Sequence, residues 1–315
     1  TLMEIARERL FKVLVASRGS DALSLAFDFN PTAISLDVFL PDMMGWSVLG
    51  ELKRNQLTRH IPVQVLTVDD DQNHTLTRGA IAHIGKPSSF EDLGCALDRL
   101  RAFAHNEKRP LLIVSGSERE RLNLSNLLAH DEVEVLIAET GRKALDYLRN
   151  HPVRCVVLAL ELADMTGFDV MEQMRQSEDL SQVPVIVFTG QPLTDDEGSR
   201  LRHFARSMAV KGVESAERLL DGAALFLHLN IANLPTDKQE LLGRLYRSDE
   251  DIVGKTVLIV DDDARNIFAL SSVLERRGMV VLTATTGREA VEALDTGEVS
   301  IVLMDIMMPE MDGYQ

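Results

Sequence analysis

Two cysteines and one tryptophan are all that this 315-residue chain holds of those types, and aromatic residues make up only 5% of it. Two thiols, Cys95 and Cys155, cannot build a disulfide framework. Each sits in an apolar stretch and reads as a small buried hydrophobe, so the expected compartment is cytoplasmic or otherwise reducing. No run of 18 or more apolar residues occurs; the longest, such as residues 155–160, are strand-length, which argues against a membrane span in this chain. Residues 1–10 lack a basic segment followed by an apolar core, so they do not read as a signal peptide. Positive charge is also scarce: 33 basic against 49 acidic residues give a net charge of −16. Such a field repels phosphate backbones and anionic bilayers, so nucleic acid is not an expected partner. What remains, 45% hydrophobic and 26% charged, is the composition of ordinary globular cores.

The chain repeats itself three times. Residues 15–23, 137–145 and 283–291 each combine the end of an apolar strand, a glycine turn and the start of an amphipathic helix. Eighteen residues after Gly19, Gly141 and Gly287 come Asp37, Ala159 and Asp305, each closing a second apolar strand, and eight residues further stand Gly45, Gly167 and Gly313. The first two copies continue in step to Thr67 and Thr189, thirty residues on, with lysines following at Lys86 and Lys211. In copies two and three an apolar strand ends 26 residues before the glycine, at Ser115 and Asp261.

Continuously apolar strands alternating with helix-period segments indicate a parallel sheet covered on both faces. Residues 88–91 read as a capping box, followed by Phe90, Leu93, Leu97, Leu100 and Phe103 on one helix face. The expected fold is α/β: tandem flavodoxin-like (βα)5 doubly wound sheets, strand order 2-1-3-4-5, with incomplete first and last copies. The expected domains are 1–105, without its first strand; 106–230; a helical linker, 231–253; and 254–315, the first half of a third domain. The linker accounts for 21 extra residues between copies two and three, with Thr236 and Gln239 as a capping box and Leu241, Leu242, Leu245 and Tyr246 as an apolar stripe. It either packs on the preceding domain or serves as a partner-binding or dimerising helix.

Doubly wound sheets place their chemistry at the carboxyl ends of the strands, where Asp37, Asp261, Asp305, Thr67 and Lys86 fall. Asp261, Asp262 and Asp305 converging at one sheet edge would repel one another without a hard cation, and Mg2+ suits an all-oxygen donor set. A central carboxylate can attack a phosphoryl group, with a threonine and a lysine contacting the phosphoryl oxygens.

With residues 259–263, 303–313, 36–45, Leu66-Thr67 and 85–87, the chain resembles the receiver domains of two-component response regulators over nearly its whole length. The resemblance implies that Asp37 and Asp305 are phosphoacceptors and that Asp261 and Asp262 are the Mg2+-binding acidic pair. Main-chain carbonyls of Phe39 and Met307 would be further ligands. Thr67 would be the switch threonine, Lys86 the phosphate-contacting lysine, and His83 would lie near the aromatic switch position. A phosphohistidine-bearing kinase or phosphotransfer domain would be the partner. A connecting helix feeding residues 254–263 also resembles hybrid sensor histidine kinases with several C-terminal receivers.

The middle copy departs from the pattern: Ser115 and Gly116 replace the acidic pair and Ala159 the phosphoacceptor, while Thr189 and Lys211 persist. It reads as a pseudo-receiver, a spacer or docking module. Both end copies read as cut, so the chain looks like a slice of a longer protein. The first lacks strand 1 and the third its last two strands, complementary deficits that would allow homodimerisation by strand exchange. An aspartyl-phosphate hydrolase would need an acid two residues after the nucleophile, where Phe39 and Met307 stand. A dinucleotide enzyme would need a glycine-rich loop after strand 1, where Ser115-Gly116-Ser117 and Asp261-Asp262-Asp263 provide none. An unphosphorylated interaction scaffold stays open as the alternative.

Overall fold

A computed structural model of the chain describes residues 2–67, 72–86, 90–105, 108–250, 253–295 and 299–305. They fall into two compact units, 1–239 and 240–315.

Three parallel sheets correspond to the three repeats. The first copy runs α1 (Leu2–Glu8), α2 (Gly19–Phe29), β1 (Ile34–Asp37), α3 (Gly45–Arg54), β2 (Val63–Thr67), α4 (Gln72–Thr77), β3 (Ala82–Gly85) and α5 (Phe90–His105). Its sheet has the order β1-β2-β3. The second copy runs β4 (Arg109–Val114), α6 (Glu118–Leu128), β5 (Val133–Ala138), α7 (Gly141–Asn150), β6 (Cys155–Leu158), α8 (Gly167–Arg175), α9 (Glu178–Ser181), β7 (Val185–Phe188), α10 (Asp195–Phe204), β8 (Val210–Val213) and α11 (Ala216–Leu227). Its order, β5-β4-β6-β7-β8, is the expected 2-1-3-4-5. After α12 (Thr236–Glu250), the third copy runs β9 (Thr256–Val260), α13 (Ala264–Glu275), β10 (Val280–Ala284), α14 (Gly287–Asp295) and β11 (Ile301–Met304), in the order β10-β9-β11.

The complete middle sheet shows why these sequences form strands. Leu111–Val114 and Cys155–Leu158 are wholly buried, because helices cover both faces of a doubly wound sheet. Each large aliphatic side chain removed from water there contributes roughly 1.5–3 kcal/mol. Residues 11–16, the expected second strand of copy one, form no strand. In this topology that strand ladders only against strand 1, and the first sheet has no such partner.

Two expectations are corrected. Cys155 is buried in β6, and burial pushes its thiol pKa up, but Cys95 is exposed on α5. The helical period turns Ala96, Leu97 and Leu100 inward and leaves the preceding residue, Cys95, on the outer side. Thr236 lies inside α12 rather than capping it, and the Gln239 side-chain amide donates back to the carbonyls of Leu234 (2.7 Å) and Ala232 (3.1 Å). The Lys238 ammonium donates to the carbonyl of Ala129 at the end of α6, so the first turn of α12 is tied to the middle copy. The expected capping box at 88–91 lies partly outside the described residues.

The repeat also carries a helix-start device. The Asp42 carboxylate accepts the backbone N–H groups of Gly19 (2.7 Å) and Ser20 (3.0 Å), and the Asp164 carboxylate those of Gly141 (2.8 Å) and Arg142 (3.0 Å). Both acids follow Asp37 and Ala159 by five residues and satisfy donors that a helix start leaves unpaired. The N–H groups of Ser20 and Gly19 hold the Asp42 pKa down at about 2. A carboxyl lowered in the folded state contributes stability above its unfolded pKa, and this is lost as pH falls through the folded value. Asp42→Ala is therefore expected to lower the thermal midpoint at pH 7. In a pH series of melts, the gap to the parent protein should shrink between about pH 4 and pH 2.

Candidate functional site

Each copy delivers the residue eighteen positions after its glycine (Asp37, Ala159 or Asp305) to the carboxyl edge of its sheet. Backbone bonds show that Ala159 and Asp305 occupy the same place: the Ala159 N–H donates to Val114 O (2.9 Å) and the Asp305 N–H to Val260 O (2.8 Å). In copy one Asp37 pairs with Leu66, so Thr67 stands one residue further along the adjacent strand.

Around Asp37 the structure brings the expected partners together. The Lys86 ammonium donates to the Asp37 carboxylate at 2.5 Å, and the Phe39 N–H donates to its other oxygen at 3.2 Å. Lys86 reaches this place because Thr67 pairs with Gly85, and the Lys86 N–H donates to Thr67 O at 2.7 Å. Thr67 itself is buried. His83 lies on β3 opposite Val65, inside the ladder rather than at its end.

The loop between Asp37 and α3 is closed by a bridge between Phe39 and Met44 and by the Gly45 N–H donating to Val38 O at 2.7 Å. Here glycine is required by close approach: a Cβ on Gly45 would stand 2.1 Å from the carbonyl oxygen of Asp37. The middle copy repeats this closure, with a Glu161–Thr166 bridge and a Gly167 Cβ position 2.5 Å from Ala159 O.

In the third copy the oxygens of Asp261, Asp262 and Asp305 come within 4.8 Å of one another. Asp261 is buried and its carboxylate accepts the Asp263 N–H at 2.8 Å, which orients it. Three carboxylates so close repel one another by a few kcal/mol per pair at an effective dielectric of ~20. The all-oxygen donor set, partly buried at a strand edge, fits a hard divalent cation such as Mg2+. Met307, expected to add a main-chain oxygen, lies outside the described residues.

The middle copy holds a different set. The Ser115 hydroxyl donates to Glu120 at 2.5 Å and accepts the Ser117 N–H, while the Arg121 guanidinium donates to the Ser115 carbonyl at 2.8 Å. Gly116 is exposed, and the Thr189 hydroxyl donates to Gln191 O at 2.6 Å. Lys211 does not stand where Lys86 stands. Leu66 pairs with Ile84 and its counterpart Phe188 with Val213, so the residue matching Lys86 is Ser215, the N-cap of α11. Lys211 pairs with Ile186 inside the ladder, and its ammonium lies 3.7 Å from Asp221 on α11. Taking the lysine that follows the apolar run 208–210 misplaced it, because that run enters β8 late: the connection from β7 (ending at Phe188) to β8 (starting at Val210) is longer than the one from β2 (ending at Thr67) to β3 (starting at Ala82).

Sequence reasoning missed Asp42 and Asp164, whose equal offset was a usable signal. It also missed Asp221 and His228, whose partners lie in another copy. Among the described residues no helix is long and apolar enough to cross a membrane.

The family model described as "Response regulator receiver domain" matches residues 1–98, 111–221 and 257–315. Among curated relatives, the response regulator PleD of Caulobacter vibrioides is 25% identical over 221 residues, covering 61% of this chain and 48% of that protein. Probable histidine kinase 4 of Oryza sativa is 28% identical over 261 residues, 78% of this chain and 24% of that protein. The chain thus spans half or less of the length of these relatives. Among solved structures, a putative two-component response regulator/GGDEF domain protein is 19% identical, with a TM-score of 0.32, over 79% of this chain and 92% of that one. The phosphorylated cyanobacterial phytochrome response regulator RcpA is 17% identical, with a TM-score of 0.34, over 38% and 94%.

The contact at Gly45 sets a direct test. Gly45→Ala forces backbone against backbone and should destabilise the first copy by roughly 1–3 kcal/mol or more, seen as a lower urea midpoint. Gly50→Ala, inside α3 with only a side-chain tip at 4.0 Å, should leave the midpoint at or above the parent value.

Proposed function

Because the chain belongs to the family of response regulator receiver domains, whose setting is two-component signalling with histidine kinase or phosphotransfer partners, we propose that Asp37 and Asp305 accept phosphoryl groups and that the middle copy does not. The observation that carries this reading is the contrast of strand ends: a carboxylate held against a lysine in copy one, a cluster of three carboxylates in copy three and, among the described residues, neither at the matching strand ends of copy two, where Ser115 and Ala159 stand.

A carboxylate oxygen of Asp37 or Asp305 attacks the phosphorus of a phosphohistidine. The phosphorus–nitrogen bond breaks, the imidazole leaves with the bonding pair and takes a proton, and an acyl phosphate remains. The Lys86 ammonium, already 2.5 Å from Asp37, offsets the charge that builds on the phosphoryl oxygens. Mg2+ held by Asp261, Asp262 and Asp305 would supply charge neutralisation at the third site. Thr67, buried on the neighbouring strand end, is positioned to read the phosphoryl group, and His83 would respond on β3. In the middle copy Ala159 offers no nucleophile and Ser115 no anionic ligand, which supports its role as a docking module. The match to a probable histidine kinase over 78% of the chain supports placing these domains within a longer phosphorelay protein.

Radiolabelled transfer from a phosphohistidine donor tests the assignment. The Asp37→Asn/Asp305→Asn double variant should fall to background incorporation and Ala159→Gly should match the parent. Chelation of divalent ions should remove the signal. Undiminished label in the double variant would defeat the proposal.

A further inference from the structure

A polar network joins the middle copy to the first. Asp221 on α11 accepts a 2.7 Å ion pair from Arg59, which lies between α3 and β2 of copy one, and also faces Lys211 at 3.7 Å. The Arg59–Asp221 pair is nearly out of solvent, with side chains 4% and 17% exposed. Close by, the buried Lys53 ammonium at the end of α3 donates to the carbonyls of Arg59 (2.9 Å) and Ile61 (2.6 Å) and lies 3.3 Å from Nδ1 of His228.

His228 ends α11 with φ of 54°, a left-handed conformation uncommon for a residue with a side chain. Its backbone is held there by Arg109, which donates to the carbonyls of Leu227 and His228. The ring of Phe103 from α5 meets the His228 ring edge-on at 5.2 Å and takes the Arg154 guanidinium on its face at 3.8 Å. At Gly79, just past α4, the position of a Cβ is 2.8 Å from Leu225 of α11.

We infer that the second receiver is an intramolecular partner of the first, clamping the outer ends of β2 and α4 through a seam centred on Asp221 and His228. The opposite end of β2 is Thr67, and α4 follows the segment after Thr67, so the clamp grips the two elements that border the Asp37 site. Removing one member of a buried pair costs the other its charge-assisted contact in a poorly solvated place, which ties the packing of each copy to the other. The inference does not depend on phosphoryl transfer, so loss of that reading would leave it standing.

Hydrogen exchange on the full chain, read separately in each copy, tests it. Asp221→Asn should speed exchange across residues 59–67 of copy one by about tenfold or more. Arg59→Met should do the same across the C-terminal half of α11. The double variant should show no more than the larger single effect, since both changes break one contact. Leu225→Asp, which places a charge against Gly79, should reproduce the response in copy one. Exchange that rises only in the copy carrying the substitution, or single effects that simply add, would overturn the clamp.

Discussion

Carboxylates delivered to the same edge by neighbouring parallel strands must be neutralised, and that electrostatic demand organises the three copies. Copy one meets it with Lys86 against Asp37. Copy three gathers Asp261, Asp262 and Asp305 within 4.8 Å, a donor set complementary to a divalent ion. Copy two removes the demand: Ser115 and Ala159 carry no charge, and the Glu120 carboxylate accepts the Ser115 hydroxyl. The chemistry of each copy follows from which solution its strand ends hold.

The frame around these ends is the same whether or not the acids are present. Met43 and Met165 cover Gly19 and Gly141, Gly45 and Gly167 let a helix close on the strand-end carbonyl, and Asp42 and Asp164 start the second helix. Copy two keeps this scaffold with Ala159 where the other copies carry Asp37 and Asp305. Asp221 on α11 pairs with Arg59 of copy one and lies 3.7 Å from Lys211 of its own copy.

Sequence spacing carried the fold and most of the site. Equal intervals from Gly19, Gly141 and Gly287 placed Asp37, Ala159 and Asp305 at strand ends, because strand and helix lengths in this topology are set by one sheet geometry. The strand order and the convergence of Asp261 with Asp305 followed from it. Lys211 did not, since a longer connection between β7 and β8 shifts the ladder and puts Ser215 in the lysine's place. Cys95 failed for a related reason: an apolar neighbourhood does not say which side of a helix faces out. The seam was invisible for a deeper one. Arg59 and Asp221 are 162 residues apart and obey no period; only the packing of one copy on another brings them together.

The account stands on where phosphorus becomes attached. Reduction of the phosphorylated protein with borohydride converts each aspartyl phosphate to homoserine, which mass spectrometry then locates. Homoserine at positions 37 and 305, with none between residues 108 and 230, is the predicted result. Modification within that middle interval, or at acids other than those two, would contradict it.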